Sequence, residues 1–151
     1  MAITSAICNS FKVEILTGTH NFTASSGNSF KIALIKANSA QSGTYSKATT
    51  NYTNVTGNSD ELANGNGYST GGNTLVSTTP ALSTDTAVCD FAQTSWSSAT
   101  FTTRGCIIYN TNASNKAVMV LNFGADYSVS NGTFSIDFPT ADASNAIIRI
   151  S

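Results

Sequence analysis

Residues 94–137 read TSWSSATFTTRGCIIYNTNASNKAVMVLNFGADYSVSNGTFSID. Apolar blocks in and just beyond this stretch are separated by Asn, Ser, Gly and Asp, the residues that favour turns. The blocks are residues 106–109 (CIIY), residues 117–121 (AVMVL) and the alternating Phe134, Ile136 and Phe138. This pattern predicts a compact antiparallel β domain. Because the stretch holds almost no reactive groups, we expect the protein to act by contact rather than by reaction.

The rest of the chain extends the pattern to about eight strands. A strand is predicted over residues 30–37 (FKIALIKA), and others over 74–82, 86–92, 99–103, 105–110, 117–123, 133–138 and 146–150. Asn131-Gly132 predicts a tight turn, and Pro80 predicts an edge or a bulge. We therefore expect an all-β fold: an antiparallel two-sheet sandwich of jelly-roll type, with a short N-terminal helix at its side.

Residues 1–20 are expected to form an N-terminal helix or arm. Apolar residues recur every four positions, at Ile3, Ile7, Phe11 and Ile15. This spacing predicts a helix over residues 4–16, which Gly18 ends in the left-handed conformation. The alternation of Phe11, Val13 and Ile15 leaves a strand over residues 10–16 as the alternative.

The polar segment of residues 39–73 is rich in glycine, which permits backbone dihedrals that other residues resist. A loop this long in a compact domain is usually functional or disordered. We expect an ordered excursion across one end of the sheets, in contact with a neighbouring subunit. At 151 residues, the chain 1–151 is expected to be a single domain.

The composition is polar but carries little charge. Ser, Thr and Asn account for 59 of the 151 residues, whereas Asp, Glu, Lys and Arg account for 15. The net charge is −1 and the basic residues are scattered, so we expect no direct binding to nucleic acid. No apolar run approaches the roughly 18 residues that cross a bilayer, and the N-terminal residues do not resemble a signal peptide. We therefore expect no membrane partner.

Groups able to carry out catalysis are few. His20 is the only histidine, and its position after the predicted helix favours a solvated turn. A glycosidase would need two carboxylates, for which Asp90 and Asp137 are the candidates, although such residues more often face outward from a strand. No enzyme activity, metal, cofactor or small-molecule substrate is expected.

The three cysteines, Cys8, Cys89 and Cys106, have apolar neighbours and are expected to be small core residues. A Cys89–Cys106 bridge stays possible if their strands are adjacent. Trp96 is expected in the core with its N–H bonded to the backbone, and the alternative is a platform on which a sugar stacks. Arg104 is either a satisfied edge charge or one half of an ion pair between subunits.

Several segments in a shared order resemble a family of small structural proteins encoded by tailed bacteriophages. They are residues 2–12, 67–75, 96–105 and 107–110, continuing through 121–124 to 138–139. The resemblance implies a virion component without a catalytic motif. Small β domains of this kind often serve as capsid cement or decoration proteins, typically as homotrimers over the junctions between capsomers.

This resemblance implies a protein made in the cytoplasm of a host bacterium, whose partner on the capsid exterior is the major capsid protein. The candidate subunit contacts lie in the N-terminal segment, the glycine-rich loop and the later strands, at Ile3, Ile7, Phe11, Tyr68 and Arg104. The alternative is a tail or fibre protein that binds a host glycan or receptor, with Tyr45, Tyr52 and Tyr68 exposed to stack on sugars.

Overall fold

The computed structural model describes residues 2–151, which form eight strands and two short α-helices. The helices are α1 (Asn9–Leu16) and α2 (Thr53–Gly57). The strands are β1 (Ala6–Ile7), β2 (Phe30–Lys36), β3 (Asn73–Thr74), β4 (Ser77–Ser83), β5 (Thr86–Phe91), β6 (Thr94–Asn110), β7 (Lys116–Ile136) and β8 (Ile148–Ile150).

The strands form two antiparallel sheets that share one core. The larger sheet has the order β1-β7-β6-β2-β3, and the smaller has the order β4-β5-β8. Phe30 of the larger sheet and Phe91 of the smaller lie 5.9 Å apart between ring centroids, and Phe22 contacts both rings. The prediction of an all-β, antiparallel two-sheet fold is confirmed.

Strands β6 and β7 form a long two-stranded ribbon, paired from Thr94 opposite Ile136 to Asn110 opposite Lys116. The predicted separate strands over 99–103 and 105–110 are parts of β6, and those over 117–123 and 133–138 fall largely within β7. Register shifts interrupt the ladder without ending either strand. The segment that we expected to contain several strands therefore contains two.

The tight turn predicted at Asn131-Gly132 is wrong, because these residues lie inside β7. Ala99 pairs with Gly132 and Phe101 pairs with Val129, so β7 has one more residue than β6 between the two pairs. Asn131 adopts a φ of 46° in this bulge. A bulge and a hairpin turn both favour residues that tolerate positive φ, so the dipeptide alone does not distinguish them.

The N-terminal helix is shorter than predicted and begins at Asn9. Ala6 and Ile7 instead pair with Val120 and Met119 of β7, which makes the start of the chain the edge of the larger sheet. The alternative strand over residues 10–16 is wrong. Gly18 ends α1 with a φ of 72°, as expected.

The glycine-rich segment 39–73 is ordered by a buried carboxylate. Asp60 accepts hydrogen bonds from the backbone N–H groups of Ser42 and Gly43 and from the hydroxyl of Tyr45. Burial raises the pKa of Asp60, but these hydrogen bonds outweigh it and hold the pKa below its usual value. The segment is thereby tied to the end of β2, where Lys36 N–H donates to the Asp60 carbonyl oxygen.

Candidate interaction surfaces

Three of the five residues expected to contact a neighbouring subunit are buried within the chain. Ile3 is 4% exposed and forms an isolated parallel bridge with Tyr45. Phe11 is 3% exposed and packs on His20 and Phe22. Tyr68 is also buried, and its hydroxyl accepts from the N–H of Leu34. These side chains are occupied by contacts inside the fold, so they are not available to contact a neighbouring subunit.

The remaining two candidates, Ile7 and Arg104, are partly exposed. Ile7 lies in β1 and lines a cavity beside α1. Arg104 lies 3.6 Å from Asp126 and its Nε donates to Asn122, so the structure places an acidic partner for Arg104 in its own chain.

His20 is buried in a polar network and does not occupy the solvated turn that was predicted. Its Nε2 lies 2.7 Å from Glu14 Oε2, and its Nδ1 lies 3.0 Å from the Asn110 side-chain nitrogen. Lys116 donates to the second Glu14 oxygen at 3.0 Å. Burial raises the pKa of Glu14, but the hydrogen bonds from His20 and Lys116 outweigh it and lower that pKa. The network joins α1 to β6 and β7.

Tyrosines expected at the surface are mostly internal. Tyr45 is buried against Asp60, which corrects the prediction of an exposed ring. The hydroxyls of Tyr52 and Tyr68 both donate to Glu61, which also accepts from the N–H of Gly71. Burial raises the pKa of both tyrosines. This cluster ties the glycine-rich segment to the larger sheet. Tyr45 and Tyr68 are both buried, so neither ring is free to stack on a sugar.

The two carboxylates considered for catalysis differ in environment. Asp90 is 1% exposed, and burial raises its pKa against hydrogen bonds from the N–H groups of Phe91 and Ile147. Asp137 is exposed at the end of β7. The expectation of an exposed, outward-facing side chain is therefore wrong for Asp90, whose carboxylate is buried beside the N–H groups of Phe91 and Ile147.

The cysteines and Trp96 lie in the core, as expected. Cys8, Cys89 and Cys106 are buried free thiols, so the possible Cys89–Cys106 bridge is not formed. Burial raises the pKa of Cys89 to about 12. Trp96 is 3% exposed, but its indole N–H has no hydrogen-bond partner among residues 2–151, which corrects the predicted backbone bond.

Within residues 2–151, no group of three or more His, Cys, Asp or Glu side chains is placed to hold a metal ion. None of the helices in that part of the chain is both long and apolar enough to span a bilayer.

The outer part of the β6–β7 ribbon presents a row of partly exposed apolar side chains. This ribbon face consists of Phe123, Tyr127, Phe134 and Ile136. Phe123 contacts Tyr127 and Phe134 edge-on or tilted, with ring centroids 6.3 Å and 6.1 Å apart. The row lines a cavity of about 290 Å³ together with Ser135 and Asp137. Tyr127 is 50% exposed, which makes it the most accessible aromatic ring of the row.

Strand β7 also has a free edge beyond Asn122. Its first residues are covered by Asn51, by β1 and by Ser5, whose hydroxyl accepts from Asn122 N–H. Among the described residues, no strand or bridge pairs with the outer side of residues 123–136. An unpaired strand edge is a template for pairing with another chain. Its exposed side chains are mostly neutral hydroxyls and amides, such as Ser130, Asn131 and Thr133.

A second apolar surface lies between α1 and the smaller sheet. Two cavities of about 480 and 310 Å³ share Ile15, Ile148 and Ile150 as lining residues, and we call this surface the α1–β8 groove. Leu16 and Ile150 are 86% and 58% exposed at the groove. Lys12 and Arg149 also line it.

Sequence reasoning missed both surfaces, because it assigned apolar residues to the core. One signal was present: Val13 and Leu16 fall outside the four-residue spacing of Ile7, Phe11 and Ile15. Both lie on the exposed side of α1, at 64% and 86% exposure. Nothing comparable in the sequence marks the ribbon face of β7. Apolar and polar residues alternate in the same way in a strand whose apolar side is buried and in one whose apolar side is half exposed.

No protein family, curated protein or solved structure matches the chain.

Proposed function

We propose that this protein is a bacteriophage capsid cement protein, which binds the major capsid protein across capsomer junctions and stabilises the DNA-filled head. The free edge of β7, residues 123–136, is the observation that supports this function best. The resemblance to structural proteins of tailed phages and the neutral, polar composition support it as well. The protein would be made in the host cytoplasm and act as a homotrimer on the capsid exterior.

The chemistry of the free edge suits a contact with another β-rich surface. Main-chain groups along an unpaired strand give affinity when a second strand adds to them, and the side chains give specificity. Neutral hydroxyls and amides lose less hydration free energy than ions when they are buried in such a contact. The edge therefore combines directional hydrogen bonds with a low cost of desolvation.

A contact of this kind stabilises a shell only through the assembled state. A protein that binds the closed shell and not its separated subunits raises the free energy of opening by mass action. Repetition of the same contact over a symmetric lattice adds avidity without any new contact. Modest affinity at each junction is then sufficient for a large effect on the whole head.

Co-sedimentation with assembled capsid shells tests the proposal. The shells are those of a phage that encodes this protein, prepared so that they lack it. Thr133→Lys adds charge to the free edge and is expected to weaken binding to the shells at least about tenfold. Thr56→Lys makes the same change on exposed α2 and should leave binding unchanged. Equal binding by both variants, or no binding by the unmodified protein, contradicts the proposal.

A tail or fibre protein that binds a glycan is the second candidate. It is favoured by Tyr127, whose half-exposed ring lies beside Phe123 and shares a cavity with Asp137. Aromatic rings beside a carboxylate suit the apolar face and hydroxyls of a sugar. Glycan-array binding by the unmodified protein that is lost in Tyr127→Ala would favour this function over shell binding.

A further inference from the structure

The α1–β8 groove and the ribbon face are both apolar, and the charged residues at the two surfaces have opposite signs. The groove is apolar and is lined by Lys12 and Arg149. The ribbon face is apolar and is lined by Asp137. The groove and the ribbon face have no lining residue in common, so each copy of the chain carries both halves of the contact.

The charges at these surfaces have no strong partner inside the chain. Lys12 donates at 3.4 Å to Asn9, and neither Lys12 nor Asp137 lies within 4.0 Å of an opposite charge among residues 2–151. Arg149 donates to the carbonyl oxygens of Ala143 and Ser144.

Other charged groups close to the two surfaces are already engaged. Asp142 interacts with Arg149, but its carboxylate accepts hydrogen bonds from Ser144 and Asn145. Glu14 is held by His20 and Lys116, and Asp126 is held by Arg104. Two cations, Lys12 and Arg149, line the groove beside one nearby anion, Asp142, so the groove keeps a net positive charge, whereas Asp137 gives the ribbon face a net negative charge.

Each surface has an exposed apolar side chain next to a cavity that a side chain of another copy could fill. Leu16 is 86% exposed next to a cavity of about 310 Å³, and Tyr127 is 50% exposed next to a cavity of about 290 Å³. Leu82, Ala87 and Ile150 are register partners across the smaller sheet and extend the apolar surface of the groove away from α1. Protruding apolar residues beside cavities are typical of protein–protein contacts.

We propose that the α1–β8 groove of one copy receives the ribbon face of a second copy, with Lys12 and Arg149 opposite Asp137. The contact joins two different surfaces and is therefore heterologous, so it closes into a ring or continues as a filament. The proposal rests on the proposed function for the homotrimer, because it names the surfaces through which three copies would close a ring.

Charge-reversal variants at the two surfaces test this contact in solution, in the absence of capsid. Sedimentation velocity of the unmodified protein is expected to show self-association into a closed ring. Lys12→Glu in the groove and Asp137→Lys on the ribbon face should each weaken association at least about tenfold, because each places like charges opposite one another. Exposed residues outside both surfaces supply the controls Lys47→Glu and Thr56→Lys, which should associate normally.

Combining the two changes in one chain gives the decisive result. The double variant that carries both Lys12→Glu and Asp137→Lys should recover association, because opposite charges again face one another at every contact of the ring. A protein that stays monomeric at its highest soluble concentration overturns the contact. Failure of the double variant to recover, with both single variants folded, overturns it as well.

Two further outcomes keep the alternatives apart. Flotation with vesicles containing an anionic phospholipid tests whether the groove binds a membrane instead. Vesicle binding that Lys12→Glu abolishes, by a protein that does not self-associate, overturns the contact in favour of lipid. Self-association with the expected charge pattern, by a protein that does not bind shells, supports the contact and contradicts only the proposed function.

Discussion

At the scale of single residues, Asp60 is the carboxylate on which the glycine-rich segment depends most. Its side chain is fully buried and accepts from Ser42, Gly43 and Tyr45. Asp60→Asn replaces one acceptor oxygen by a donor and should destabilise the fold by about 2–3 kcal/mol at neutral pH, measured by urea unfolding. Asp85→Asn makes the same change on an exposed turn and should alter stability by less than about 0.5 kcal/mol.

The pH dependence of this effect has a defined sign. The pKa of Asp60 is lowered in the fold from 3.8, because its hydrogen bonds outweigh the effect of burial. Its stabilisation is therefore complete above the unfolded pKa of 3.8 and is lost as the pH falls through the folded pKa. The difference between the unmodified protein and Asp60→Asn should shrink in acid. A difference that is constant from neutral pH down to acid unfolding would contradict this role.

The pKa of Asp90 is shifted in the opposite direction, so its contribution to stability has the opposite pH dependence. Burial raises its pKa above 3.8, so the stability linked to its protonation is complete below pH 3.8 and is lost as the pH rises through the folded pKa. Asp90→Asn should therefore raise the stability at pH 7 by about 1 kcal/mol, with a smaller gain in acid. Differential scanning calorimetry at several pH values measures it. Asp137→Asn, at an exposed site, should be neutral, and destabilisation by Asp90→Asn at pH 7 would contradict the argument.

Burial of single residues was predictable where a local pattern decides it. The three cysteines lie in the core, as their apolar neighbours indicate, and so does Trp96, as expected for a large aromatic ring. His20 and Tyr68 were not predictable, because their partners are far apart in sequence: Asn110 lies 90 residues from His20, and Leu34 lies 34 residues from Tyr68. Long-range hydrogen bonds make burial of these polar groups possible, and one sequence does not reveal such pairs.

At the scale of elements, a glycine places β3 against β2. Gly72 has a φ of 74°, and a Cβ atom there would lie 1.8 Å from the Ile32 carbonyl oxygen. Gly72→Ala should therefore destabilise the fold by about 2–4 kcal/mol, through both strain and the clash. Gly57→Ala, at the end of α2 with no atom within 4 Å of its Cβ position, should be neutral or slightly stabilising. Thermal unfolding of both variants measures the contrast, and equal melting temperatures would refute it.

The elements show why strand content was easier to predict than strand continuity. Residues 30–37 gave the correct strand, β2, because a short apolar run between polar neighbours has few alternatives. The ribbon was divided wrongly at Arg104 and at Asn131-Gly132, where register shifts allow the ladder to continue. The predicted helix extended too far towards the N-terminus. Ile3 and Ile7 fit a helical spacing, but in the structure Ile3 pairs with Tyr45 and Ile7 pairs with β7.

At the scale of the whole molecule, the most exposed side chains of the two apolar surfaces, Leu16 and Tyr127, contribute little to folding. Leu16 and Tyr127 are 86% and 50% exposed, so Leu16→Ser and Tyr127→Ser should each change the free energy of unfolding by less than about 0.5 kcal/mol. Phe11→Ser, in the core beside His20, should cost several-fold more. Urea unfolding of the three variants tests this separation, and a large loss for either surface variant would mean that its surface belongs to the core.

The fold class was predictable from composition and periodicity, whereas the interaction surfaces were not. Alternation specifies which side of a strand is apolar, but not whether another layer of the same chain covers that side. Phe134 and Ile136 fit the pattern of a core strand and lie in a half-open row. The exposed remainder of that row is the surface that the proposed second copy would cover.

The central claim is that this protein works as a repeated part of a phage head. Quantitative mass spectrometry of purified particles, scaled to the major capsid protein, measures its copy number per particle directly. We expect hundreds of copies, in a fixed ratio to the capsid protein, in particles with or without tails. A few copies that disappear with the tail, or no copies in the particle, would contradict the claim.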